Sequence, residues 1–246
     1  MYEYEKLAFA EVNEWKRKLL KRNSMLQRVS KKAQNKFNSF LPEKVHKGMT
    51  EAIRQMFQAT IAGSNKLTKK LDQPLPTLLD KDLLLKRKIE QYRKIAVVEG
   101  AGTGAGGILL GLADFPLLLS IKMKFLMEAA ICYGFDTDQV EERVFLLYIF
   151  QLAFSSEEKR KEMIEIVENW EEKKEEVLQI NWQDLQQEYR DYIDLAKMLQ
   201  LVPGIGAAVG AVANYNLIDQ LGETALHVYR MRYFKTIGFP DILGRA

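Results

Sequence analysis

The chain has 246 residues, 47% of them hydrophobic and 28% charged, enough to bury one sizeable core and too apolar for a disordered polymer. Its net charge of +3 hides an asymmetry: residues 1–100 carry 22 Lys/Arg against 11 Asp/Glu, and residues 101–246 carry 14 against 22. The single cysteine, Cys132, excludes an internal disulfide and fits a reducing compartment, and the acidic start lacks the basic and apolar regions of a secretory signal. An intracellular location is the expectation.

Ala8, Val12, Trp15, Leu19, Leu26, Val29, Ala33 and Phe37 recur at three-, four- and seven-residue spacings, which predicts one stripe of a long amphipathic helix. The other sides are basic. From Lys16 to Lys47 there are eleven Lys/Arg and one acid, Glu43. Lys16, Arg17, Lys18, Lys21, Arg22, Arg28, Lys31, Lys32 and Lys36 form the expected contact with an anionic surface. Lipid headgroups and nucleic acid both carry phosphate. No helix-turn-helix or other nucleic-acid module is present, so a membrane surface is the expected partner.

Pro42 interrupts this pattern, and Val45, Met49, Ile53, Met56 and Thr60 restart a helical period that runs out near Gly63. Pro74 and Pro76 disfavour helix for themselves and their predecessors and mark a linker. The chain is thereby read as a basic amphipathic helical region, 1–72, and a helical core, 73–246. Asp80 or Asp82 caps the next helix, which passes through Ile89, Tyr92 and Ala96 into glycines.

Between Glu99 and Lys122 lie 22 residues with Asp114 as the only charge, and between Lys197 and Asp219 lie 21 with none. Gly100, Gly102, Gly104, Gly106, Gly107 and Gly111 crowd the first stretch. A water-exposed helical glycine costs about 1 kcal/mol relative to alanine, so this density requires close backbone packing. Gly100/Gly104 and Gly206/Gly210 have the small-xxx-small spacing that allows it. Both stretches reach the roughly 20 residues of a bilayer span, but prolines and polar residues interrupt them. Burial in a soluble bundle and insertion into or against a membrane both fit.

Asp136–Gln139 and Ser155–Glu158 have capping-box spacing, each predicting a helix start. An acidic helix from about Ser156 to Leu178 follows, with Met163, Trp170 and Val177 on its apolar side. Asn181 caps another, ended by Pro203-Gly204. No alternating period is sustained, so the predicted class is all-α: a multi-helix bundle with its two glycine-rich apolar helical segments packed together.

Motifs for chemistry are few. Gly102-Thr-Gly104-Ala-Gly-Gly107 fits the dinucleotide fingerprint, and Glu128 lies 21 residues beyond Gly107, but the preceding residues, 88–98, read as helix and the fingerprint needs a strand. There is no nucleophile elbow, and one cysteine with two distant histidines does not make a usual zinc set. No cofactor or metal is expected. Asp114, just before Pro116, reads as a helix start at 114 or 115, and otherwise as a buried carboxylate in need of a partner. With Glu128, Asp136, Asn214 and Asn216 it forms the set of polar residues inside apolar stretches that could line a small-molecule pocket. Arg230 and Arg232 are expected at the surface.

The ordered motifs Glu99-Gly-Ala-Gly-Thr-Gly-Ala-Gly-Gly, Leu112-Ala-Asp-Phe-Pro116, Ala130-Ile-Cys-Tyr-Gly-Phe-Asp136 and Val202-Pro-Gly-Ile-Gly-Ala-Ala-Val-Gly-Ala-Val-Ala-Asn214-Tyr resemble the bacterial EcsC family. The resemblance covers residues 80–238 well and the basic first third loosely. It implies a namesake encoded beside the EcsAB ABC transporter, a system linked to secretion and competence, and brings no biochemical activity with it. Two functions follow: an interaction or regulatory protein at the cytoplasmic face of the cell membrane, touching a transporter or secretion component, or a soluble helical enzyme with a pocket near Asp114 and Asn214.

Overall fold

The apolar periods become helices in a computed structural model that describes residues 3–21, 43–63, 68–104, 115–155, 157–179 and 207–238. Eight helices lie among the described residues: α1 (Glu3–Leu20), α2 (Glu43–Ala62), α3 (Leu78–Gly104), α4 (Phe115–Tyr133), α5 (Val140–Phe154), α6 (Glu157–Glu168), α7 (Trp170–Gln179) and α8 (Ala207–Thr236). No described residue belongs to a β-strand. The class is all-α.

Ala8, Val12 and Trp15 line the buried side of α1, as their spacing predicts, while Leu26, Val29, Ala33 and Phe37 lie outside the described residues. In α2 the period again sets burial, with Ile53, Met56, Phe57 and Thr60 inside. The helix ends at Gly63, whose φ of +67° is open to glycine and strained for other residues. Arg143 seals this end: its Nε donates to the Ile61 carbonyl (3.0 Å) and its Nη1 to the carbonyls of Thr137 (3.0 Å) and Asp138 (2.7 Å).

Residues 72–77 form the expected non-helical linker. The cap that follows differs from expectation. Thr77 starts α3, accepting the Asp80 N–H at 3.1 Å and donating to the Asp80 carboxylate at 2.6 Å. Asp82 is one turn inside the helix and wholly buried.

Helices α3 and α8 share the most extensive contact of the fold. They run antiparallel, since Asp82 meets Arg230, Ile89 meets Gly222 and Arg93 meets Asp219. A Cβ at Gly222 would lie 2.8 Å from Ile89 Cγ1, so the absent side chain creates the notch that Ile89 fills. Helix α4 is also antiparallel to α3, with the Lys81 ammonium donating to the Tyr133 carbonyl (3.0 Å) and Tyr92 donating to Glu128 (2.9 Å). The end of α3 therefore lies level with the starts of α4 and α8.

Helix α5 is the inner rod. Every residue from Glu142 to Phe154 is buried, which suits a sequence apolar on all sides. Its N-cap is Gln139, without a side-chain bond, because Asp136 turns back to accept the Asp138 N–H (3.1 Å). The acidic helix anticipated over 156–178 is two helices, α6 and α7, separated at Asn169, whose side-chain amide donates to the Glu165 carbonyl (3.1 Å). One hydrophobic cluster joins residues of α1 and α2 to residues of α3 through α8. The helix expected after Asn181 lies outside the described residues.

Candidate functional site

Two charged groups interrupt apolar stripes of the central pair. Asp82 sits on the stripe Leu78, Leu85, Ile89 of α3, and Arg230 on the stripe Leu226, Phe234 of α8, and both are buried. Arg230 Nε donates to Asp82 Oδ2 at 2.8 Å. The Tyr4 hydroxyl donates to the same oxygen at 2.7 Å, and the Tyr133 hydroxyl donates to Oδ1. Arg230 also reaches outward to Glu11 (2.6 Å), at the edge of α1.

Each carboxylate oxygen of Asp82 is thus occupied by a donor of the protein. Burial works against the Arg230 charge, but the Asp82 carboxylate and the hydrogen bonds to Asp82 and Glu11 outweigh it and hold the guanidinium protonated beyond its ordinary range. Burial, with the Asp82 hydrogen bond and charge, pushes the Tyr4 hydroxyl up to about 12, and Tyr133 is raised as well, first by burial and then by Asp82. A cluster of this kind, with its carboxylate wholly buried, ties α1, α3, α4 and α8 together.

A second buried carboxylate, Glu142 of α5, accepts from the Tyr229 hydroxyl (3.0 Å) and from Arg232 Nη1 (2.7 Å). Burial raises its pKa, with Arg232 and Tyr229 opposing the rise. The Arg232 guanidinium lies 3.7 Å from the Phe135 ring centroid and 4.3 Å from that of Phe145. The expectation of surface positions for Arg230 and Arg232 is corrected: Arg230 is buried, and Arg232 is held between aromatic rings and Glu142. The sequence carried a signal for the first, since Asp82 and Arg230 each stand on a core stripe and have opposite charge.

The polar set anticipated as a pocket is dispersed along the bundle. Glu128 pairs with Lys88 (2.9 Å) and Tyr92, inside the α3–α4 seam. Asp136 pairs with Lys70 (2.9 Å) on an exposed surface beyond the end of α4. Asn214 is buried in the second turn of α8, and its carbonyl oxygen has no hydrogen-bond partner among the described residues. Asn216 is exposed, and Asp114 lies outside the described residues. No ion pair or hydrogen bond among the described residues links Glu128, Asp136, Asn214 and Asn216 to one another. Gly100, Gly102 and Gly104 are themselves helical, which removes the strand and tight turn that the dinucleotide fingerprint requires.

Of the basic set, Lys16 is turned inward, bonded to both carboxylate oxygens of Glu168 (2.6 and 2.8 Å). Arg17 and Lys21 are exposed, and Lys18 pairs with Glu14 at the surface (2.7 Å). Arg22, Arg28, Lys31, Lys32 and Lys36 lie outside the described residues. No described helix is long and apolar enough to cross a membrane.

The sequence profile of the EcsC protein family matches residues 6–234. The chain belongs to the EcsC family. This EcsC-family match begins inside α1 and so includes the basic first third, which the motifs covered only loosely. The chain is 52% identical over 229 residues to Protein EcsC of Bacillus subtilis (strain 168), covering 93% of this chain and 96% of that one. A second relative in the same organism, Uncharacterized protein YdbA, is 29% identical over 163 residues, 65% of this chain and 59% of its own length. No solved structure matches the chain.

Proposed function

We propose that this EcsC-family chain is a peripheral protein of an anionic, cytoplasmic-face membrane surface, where it acts by contact and modulates a transporter or secretion component. The observation that carries the reading is the basic excess from Lys16 to Lys47, ten charges net of Glu43, in a chain otherwise acidic after residue 100. Each Lys or Arg near an anionic leaflet contributes about 1 kcal/mol, so even a part of this cluster suffices for recruitment without a span. The transporter or secretion partner comes from the family resemblance.

Contact is favoured over catalysis because the carboxylates of Asp82 and Glu142 are buried and held by Arg and Tyr donors, while Glu128 and Asp136 answer to separate lysines. The competing reading, a helical enzyme with a pocket near Asp114 and Asn214, has no such support. Vesicle flotation decides between them. The protein is expected to float with vesicles containing phosphatidylserine at low salt, to release at high salt, and to lose binding when the basic residues from Lys16 to Lys47 are reversed in charge. Equal recovery in the soluble fraction under every condition would defeat the proposal.

A further inference from the structure

The antiparallel packing of α3 against α4 and α8 gathers three helix ends at one pole of the bundle. Four large hydrophobic side chains are exposed there: Ile95 (40%) and Val98 (74%) on α3, Leu117 (54%) on α4 and Tyr215 (37%) on α8. The registers place them within about two helical turns of one another along the bundle axis. Arg93 pairs with Asp219 and lies 5.0 Å over the Tyr215 ring, so Tyr215 is level with the turn of α3 that follows Arg93. Tyr92 meets both Glu128 and Phe125, so Leu117, two to three turns earlier on α4, is level with the end of α3.

Charge is graded along the same axis. The described residues of α4 and α8 at this pole, 115–121 and 207–218, contain no Asp, Glu, Lys or Arg, and the last ten residues of α3, 95–104, contain one charge, Glu99. Exposed cations begin just behind the apolar tip, at Lys94 on α3 and Lys124 on α4. At 1.5 Å per helical residue, Lys94 stands about 6 Å behind Val98 and Lys124 about 10 Å behind Leu117. An interfacial protein buries its apolar face roughly 5–10 Å into the boundary between headgroups and acyl chains, which brings cations at this setback to the phosphates. Tyr215, with an apolar ring and polar hydroxyl, suits the same layer.

We propose that this pole, where α3 ends and α4 and α8 begin, is the membrane-contacting surface: Val98, Leu117, Ile95 and Tyr215 enter the headgroup layer of an anionic bilayer and Lys94 and Lys124 bind its phosphates. The proposal rests on the peripheral-membrane reading and assigns it a site separate from the Lys16–Lys47 segment. An anionic bilayer is the occupant that matches both the apolar tip and its cationic collar. A second copy of this chain would present the same cations to one another.

The test uses the full chain with phosphatidylserine-containing and phosphatidylcholine-only vesicles. Since Cys132 is buried, a cysteine introduced at Leu117 or Val98 takes an environment-sensitive fluorophore selectively, with Val140→Cys, exposed near the opposite end of α4, as the reference. On anionic vesicles the Leu117→Cys and Val98→Cys probes are expected to shift to the blue and to be quenched by spin-labelled lipid, and the Val140→Cys probe to be indifferent. Val98→Glu and Leu117→Glu are expected to weaken flotation about tenfold each, and Val140→Glu to leave it unchanged. If the unsubstituted chain floats while the pole probes stay in water, the pole assignment is overturned and the peripheral reading stands. If the unsubstituted chain does not float, both fall. A blue shift that follows protein concentration without vesicles would overturn the proposal in favour of self-association.

Discussion

Asp82 and Arg230 are 148 residues apart in sequence, are 0% and 1% exposed, and meet at 2.8 Å across the seam of α3 and α8. Neither charge has water to solvate it, so each depends on the other and on Tyr4, Tyr133 and Glu11. Removing one partner strands the other. Arg230→Met and Asp82→Leu are each expected to cost about 3–5 kcal/mol in urea unfolding, and the double variant less than the sum of the two. Additive losses would show that the pair is not the unit of stability here.

The notch at Gly222 gives a steric prediction. Gly222→Ala places a methyl group 2.8 to 3.1 Å from three side-chain atoms of Ile89, all part of a packed core residue. A cost of about 1–3 kcal/mol is expected from this overpacking. Trimming the neighbour with Ile89→Ala should make Gly222→Ala nearly harmless, which a thermal or urea double-mutant cycle will read. Persistence of the full penalty in the Ile89→Ala background would contradict the packing described.

His227 stacks on Trp15, with ring centroids 4.9 Å apart, and burial, aided by the charges of Arg230 and Lys86, depresses its pKa from 6.5 to about 3. The unfolded chain takes up this proton as pH falls below its ordinary value, whereas the folded chain resists it. Stability is therefore lost with falling pH across the window from 6.5 to about 3, with a slope of at most about 1.4 kcal/mol per pH unit from this group. His227→Phe keeps the stack and removes the proton, so unfolding free energy measured from pH 7 to 4 should fall less steeply than in the unsubstituted protein. Parallel pH curves for the two proteins would refute the assignment.

Cys132 on α4 is buried, and burial pushes its thiol up to about 12, with nearby Glu128 adding to the rise and Lys88 opposing it. A thiolate-directed reagent at pH 8 is expected to leave the folded protein essentially unmodified and to label it fully in denaturant. Rapid labelling of the native chain would place the thiol at the surface.

Much of this was legible before any tertiary contact was known. The stripe through Ala8, Val12 and Trp15, the period through Ile53 and Met56, and the proline linker each depend on local spacing, and each appears where the spacing puts it. Caps were less legible, because the competition between Thr77, Asp80 and Asp82 is decided by which side chain faces the first free N–H and which faces the core. The single acidic helix became two for a similar reason: Asn169 bonds its own preceding carbonyl, and Trp170 turns into the core beside Phe145. The inward positions of Arg230 and Arg232 are not legible in charge pattern alone, because the pattern along one helix does not reveal an opposite charge waiting on another.

Sequence by itself determined the all-α class, the charge asymmetry and the two glycine-rich stretches that hold a single charge, Asp114, between them, since all three are properties of residue order and local periodicity. Only the tertiary structure decided that Asp82 and Arg230 neutralise each other, that Gly222 admits Ile89, and that Val98, Leu117 and Tyr215 share one pole. Those relationships join residues far apart along the chain, and the antiparallel register of packed helices, which no local spacing encodes, brings them together.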